Sequence, residues 1–129
     1  MNPAELVPKH KLDLERAEAA VAAGYPAVAS VLPELLTWLQ DMNWPVARVL
    51  APFLAGIGAP LEISVREVLD GTDHIWKYWV IREVIAKSTD LRRSFQTHLE
   101  RLASQATDDE RAEELDELAR TLLEVQFRC

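Results

Sequence analysis

Apolar residues recur at three- and four-residue steps along nearly the whole chain and never alternate with period two for long, so the pattern predicts helices and essentially no sheet. Leu14, Ala17 and Val21 make one face of a first helix from about Lys9 to Ala23, with Gly24 as its stop. Its alanine-rich middle favours close packing over large buried area, as expected of a cap. Residues 1–8 carry Pro3 and Pro8 and read as an extended lead-in. A second helix is expected from near Pro26 to near Asp41 on the stripe Leu32, Leu35, Leu36 and Leu39. Pro33 lies in that stripe, so either it kinks the helix or Ser30 caps a fresh start ahead of it. A third helix follows Asn43 as N-cap, takes Pro45 in its first turn, bends at Pro52 and ends at Gly56 and Gly58.

The pattern continues with a fourth helix from about Leu61 to Asp70 and a fifth, capped by Thr72 or Asp73, running to about Lys87. The fifth is apolar nearly all round, which predicts burial on several sides in the middle of the molecule. Leu91, Phe95, Leu99 and Leu102 mark a sixth helix from Asp90 to Ala106. Thr107-Asp108-Asp109-Glu110 is a capping box that opens a seventh, with stripe Ala112, Leu115, Leu118, Ala119, Leu122 and Val125 and an Asp116–Arg120 pair outside. Pairing helices two with three, four with five and six with seven gives an all-α fold of about seven helices. It reads as a short α-α superhelix of three stacked hairpins plus an N-terminal cap helix, one domain over 1–129.

A repeat organises this reading. Asp41-x-x-Trp44 recurs as Asp73-x-x-Trp76, each following one amphipathic run and opening the next, and all four tryptophans lie between Trp38 and Trp79. Leu32 to Ala47, with a proline-bent first helix, an aspartate in the turn and Val-Ala opening the second helix, resembles a HEAT-type repeat. Lys9-His10-Lys11, Gly24-Tyr25-Pro26, the Asp41-to-Ala47 turn and Ile75-Trp76-Lys77-Tyr78-Trp79 extend the likeness over nearly the whole chain. With them it resembles a small bacterial family, the domain of unknown function 5071. That resemblance implies a single HEAT-like domain and carries over no activity and no site residue. The second repeat departs from the HEAT pattern in having Trp-Lys-Tyr-Trp where small residues and a basic one are usual.

Composition narrows function mainly by exclusion. Most of the net charge of −7 falls from Glu100 onward, where nine acidic residues face four arginines. No basic stripe exists for a phosphate backbone, so nucleic acid is disfavoured. That charge also argues against the helical-repeat DNA glycosylases, which set aromatics on a similar scaffold. No long apolar run or signal-like N-terminus is present, so no membrane is expected and a cytoplasmic setting is the default. The lone cysteine, Cys129, is the last residue and offers no intramolecular disulfide and no multi-thiolate metal site.

Candidate chemistry is equally sparse. His10, His74 and His98 show no ligand spacing, so no metal is expected, and no nucleophile, phosphate or dinucleotide motif occurs; no catalytic residue and no cofactor is assigned. The polar run Lys9, His10, Lys11, Asp13 reads as solvated surface or as part of a small polar site. Trp44, Trp76, Lys77, Tyr78 and Trp79 are the candidate partner-binding residues, because aromatic and cationic side chains dominate binding hot spots. Asp41, Asn43, Asp73 and His74 would shape the turns or form a polar site. The leading expectation is therefore a non-enzymatic module for a protein or peptide, basic in character, acting as monomer or weak dimer. An immunity-type inhibitor of a basic toxin is one concrete form. The alternative is a small enzyme or small-molecule binder using Asp41, Asp73 and His74 in a pocket between repeats.

Overall fold

The computed structural model describes residues 2–127, with side chains described through Glu124. Readings that fall on Cys129 and on the Val125 side chain lie outside them. The described residues are helical with no strand. The elements are α1 (Leu14–Ala23), α2 (Leu32–Thr37), α3 (Pro45–Ile57), α4 (Glu62–Asp70), α5 (His74–Val80), α6 (Thr89–Ser94), α7 (Gln96–Gln105), α8 (Asp108–Ala112) and α9 (Leu115–Phe127). Short 3-10 turns at Pro3–Leu6, Ala29–Val31, Trp38–Gln40 and Ala59–Leu61 join or extend them. The lead-in is thus not wholly extended, since the Asn2 side chain caps its turn.

Several predicted helices start later or break where the chain meets a local conflict. The expected helix from Lys9 begins only at Leu14, because Asp13 gathers the Lys9 and Arg16 amides at 2.9 and 3.3 Å and so caps the chain there. The polar run ahead of it is this capping turn. Gly24, at φ 72, ends α1. The second helix begins at Ala29 rather than Pro26: a turn closed by the Val28 amide on the Gly24 carbonyl precedes it, and the Tyr25–Pro26 bond is cis. Pro33 then sits in the first turn of α2, where its missing N–H costs nothing, and Ser30 makes no cap. Likewise α3 is capped by the backbone of Trp44, not by Asn43, with Pro45 next.

Further along, the fifth helix runs as α through Val80 and continues as a π-helical segment over Ile81–Ile85, in which the Ala86 amide reaches the Ile81 carbonyl at 2.9 Å. The sixth divides at the buried Phe95 into α6, capped by Ser88, and α7. The seventh opens on the Thr107–Glu110 capping box, then divides at Glu114, whose φ of 61 is left-handed.

The core runs through every helix layer. Leu35, Leu36, Leu39, Leu50, Leu54, Ile81, Ile85, Leu91, Phe95, Leu99 and Leu102 are its largest members. Helix α1 packs on α3 through Ala17 and Ala20, small residues that let the backbones approach, while Leu14 and Val21 of the predicted stripe each stay 39% exposed. Of the predicted stripe Ala17 alone is fully buried, and Ala20 beside it completes the packed face. The turn after α2 touches α3 and α5, α4 touches α5, α7 lies along α9, and α5 also reaches α9. Thus α5 is central in contacts, yet Ile75 is 52% exposed and Trp79 half-buried, so one face of that all-round apolar helix stays open. No single helix among the described residues is long and apolar enough to cross a membrane.

The cross-layer tie between the repeated turns is Trp76, whose Nε1 donates to the Leu36 carbonyl at 3.1 Å. Replacing Trp76 by Phe removes that bond and part of the ring's packing against the core. The expected cost is about 1 kcal/mol, read as a lower urea midpoint with an unchanged denaturant slope.

Candidate functional site

The five candidate binding residues do not form one ridge. Trp44 packs edge-on against Trp38, ring centroids 5.7 Å apart, and both lean on the core. Trp76 turns toward α2 and, with Pro33, Leu36 and Val68, lines a separate cleft of about 260 Å3. Lys77 is only 4% exposed, so it is an interior group and not part of a binding surface. Tyr78 and Trp79 do sit together, edge to face at 5.2 Å, and Arg82 lies over the Trp79 ring at 5.8 Å.

The turn residues have structural employment. The Asp41 carboxylate accepts the Asn43 amide at 2.8 Å, closing the turn, and the Asp73 carboxylate accepts the Trp76 amide at 3.0 Å, capping α5. Asn43 is exposed, and its backbone, not its side chain, takes part. Asp73 and His74 share an open cleft of about 340 Å3 with Asp109 and Glu113, but Asp41 does not line it. The three-residue polar pocket is therefore not assembled. No group of three or more His, Cys, Asp or Glu among the described residues is placed to hold a metal ion.

What the fold assembles is a groove. The Asp73–Glu113 cleft shares Ile75, Ala112 and Glu113 with a second depression of about 310 Å3, floored by Ile75, Tyr78 and Trp79. This in turn shares Tyr78 and Glu114 with a third of about 200 Å3 reaching Glu117 and Thr121. One wall is α5 and the π-helical segment that continues it, where Ile75, Tyr78, Trp79 and then Arg82 recur at helical steps and so face one way. The other wall is the corner between α8 and α9. There the left-handed Glu114 turns the chain so that Glu113, Glu114 and Glu117 line successive depressions beside the apolar floor. Together with Asp73 and Asp109, five carboxylates rim the groove, with Arg82 as the one cation among its described lining residues.

Beneath α8 lies its anchor. Glu110, 3% exposed, accepts both Arg101 guanidinium nitrogens at 3.1 and 2.7 Å and the Thr107 amide at 2.8 Å. The Arg101 guanidinium, with the Thr107 backbone, holds the Glu110 carboxyl down at about 2. Lys77 lies within the electrostatic reach of the same groups, Glu110 and Arg101, together with Asp70 and Asp73, and burial pushes its amine below the ordinary lysine range. Sequence reasoning marked Thr107 and Glu110 as a capping box but had no signal for Arg101, nor for the exposure of Ile75 or the bend at Glu114.

Residues 6–123 match the family model described as a domain of unknown function, DUF5071. No curated protein matches.

Two outcomes follow from the interior charges. Glu110→Gln weakens the clamp and is expected to cost about 2 kcal/mol at neutral pH in chemical denaturation. The wild-type advantage over Glu110→Gln is present above pH 4.5, the ordinary glutamate value, and disappears as pH falls from there toward about 2, because the folded carboxyl resists protonation. For Lys77 the sign is opposite in origin: the folded amine binds its proton less well than the unfolded one, so stability rises as pH climbs toward 10.5. Lys77→Met removes that cost at similar volume and is expected to stabilise by about 1 kcal/mol, measured as a higher urea midpoint.

Proposed function

The chain belongs to the DUF5071 family, a domain of unknown function, and we propose that it is a non-enzymatic protein-interaction module that holds a basic protein segment in the groove between α5 and the α8–α9 corner. The observation that carries this reading is the pairing of an apolar, aromatic floor with a carboxylate rim in one continuous depression. Aromatic side chains supply large contact area at low entropic cost, and a desolvated floor ringed by charge is how interface hot spots are built. Tyr78, Trp79 and Ile75 are the anchors, and Asp73, Asp109, Glu113, Glu114 and Glu117 select positive charge and speed encounter. An immunity-type inhibitor of a basic toxin is the concrete form of this function, with the acidic rim meeting the toxin's cationic surface. The same reading takes the hairpins as HEAT-like stacked repeats and the protein as bacterial, cytoplasmic, and monomeric or weakly dimeric.

Calorimetric titration with a peptide containing Leu, Phe and Arg, and with its counterpart in which each Arg is Glu, tests the proposal. The Arg peptide is expected to bind and to weaken as salt is raised, and the Glu peptide to give no heat. Trp79→Ala, and separately Glu113→Lys with Glu117→Lys, are each expected to lower affinity roughly tenfold. Equal binding of both peptides, or affinity for the Arg peptide that neither set of substitutions changes, sinks the reading.

A further inference from the structure

The groove is not uniform along its length. Its three depressions run in one order: the first and the middle share Ile75, Ala112 and Glu113, the middle and the last share Tyr78 and Glu114, and the first and last share no residue. Asp73, Asp109 and Glu113 line the first together with His74, with no lysine or arginine among its lining residues. The last is lined by Glu114 and Glu117, again without a cation. The middle carries the apolar floor of Ile75, Tyr78 and Trp79, and it alone holds Arg82.

The arginines on this side of the molecule are turned away from the groove. Arg111 pairs with Asp108 and donates to the Ala106 carbonyl, while Arg120 pairs with Asp116 at 2.8 Å and donates to the Ala103 carbonyl at 3.2 Å. Both therefore reach back to the end of α7. Among the described residues, no ion pair uses Asp73, Asp109, Glu113, Glu114 or Glu117. Carboxylates left unneutralised side by side repel one another, and a ligand's cations relieve that repulsion. Glu113 and Glu114 border the middle depression, but each also lines an end. A cation at each end draws on them and leaves Arg82 to set the field over the apolar floor.

The depressions are spaced for a chain laid along the groove. His74 in the first and Tyr78 in the middle are four residues apart on α5, about 6 Å along the helix axis. Glu114 and Leu118 span the step to the last depression, joined by the Leu118 amide on the Glu114 carbonyl, again about 6 Å. Alternate side chains of an extended strand point one way and stand about 6.5 Å apart. A helix repeats its face at a similar step, but so short a segment does not hold a helix by itself, and ordering it would cost affinity.

We propose that the groove reads an extended segment with basic, large apolar and basic side chains at alternate positions. The outer two enter the end depressions, at Asp73, Asp109 and Glu113 and at Glu114 and Glu117, and the apolar one rests on Tyr78 and Trp79. This register rests on the groove being the binding site for a basic segment. It makes order, and not composition alone, the basis of selection: a basic side chain in the middle meets Arg82, and an apolar one at an end leaves carboxylates desolvated without a partner.

Three peptides of identical composition test it by calorimetric titration of the whole protein. Ser-Ser-Arg-Ser-Phe-Ser-Arg-Ser-Ser is expected to bind roughly tenfold more tightly than either Ser-Ser-Phe-Ser-Arg-Ser-Arg-Ser-Ser or Arg-Ser-Ser-Ser-Phe-Ser-Ser-Ser-Arg. The amides of Asp109 and Glu117 are both expected to shift when it is titrated by NMR. Asp109→Asn and Glu117→Gln, changes to exposed side chains, should each weaken it about threefold while leaving the difference between the other two peptides unchanged. Equal affinity for all three peptides, or shifts at one end of the groove only, overturns the register and leaves the groove as the binding site. Tightest binding of the peptide with four-residue spacing shows a helical ligand and overturns the extended one. If none of the three binds although the peptide containing Leu, Phe and Arg does, the register alone fails; if that peptide is also silent, the groove fails with it.

Discussion

One buried carboxylate decides whether this molecule has a groove. Glu110 sits 3% exposed at the start of a five-residue helix that could not persist by itself, because so short a segment has too few internal hydrogen bonds to offset the cost of nucleation. Its two oxygens are satisfied from separate directions, by the Arg101 fork from α7 and by the Thr107 amide from its own cap. Without that double hold, Asp109, Ala112 and Glu113 would have no defined position opposite α5. A local capping rule and a long-range ion pair thus meet at one side chain, and the acidic wall depends on both.

The opposite wall exists because a helix suited to complete burial is only partly covered. Val80, Ile81, Val84 and Ile85 go into the core, and the π-helical segment after Val80 gives this stretch an extra residue in its turn. The neighbours of α5 are α4, the turn after α2, and α9, and none of them covers Ile75. Because the chain bends at Glu114, the short α8 and the longer α9 take separate directions, and the shared depressions lie between them and α5. Apolar floor and charged rim are therefore products of incomplete packing, which is what distinguishes an interaction surface from a core.

Charges inside the molecule follow a different logic from those on the rim. Surface pairs such as Glu62–Arg66 and Glu83–Lys87 are solvated and add little. Lys77 and Glu110 are buried, and the half-exposed Arg101 pairs with Glu110 in matched bidentate geometry. A desolvated amine and a tight ion pair thus give the α7–α8 corner a stability that depends on protonation.

The sequence by itself determined the helical class, the places of most helices, and the ends whose chemistry is local: Gly24 and Gly58 as stops, Asp73 as a cap, and Thr107 with Glu110 as a capping box. These are legible because capping and periodicity act within a few residues. It could not tell that Pro33 would open a helix instead of kinking one, that Ala20 would join Ala17 in the core while Leu14 and Val21 stayed partly exposed, or that Lys77 would be interior while Ile75 remained exposed. Those outcomes depend on how closely separate helices approach one another, and periodicity marks a face without naming what covers it. The tryptophans show the same limit: their repeat spacing is plain in the chain, yet Trp44 went against Trp38, Trp76 toward Leu36, and Trp79 into the groove. Only the tertiary structure decided this: the Trp76 N–H finds its acceptor at Leu36, forty residues away, and how far each of the other rings is covered depends on how closely neighbouring helices approach.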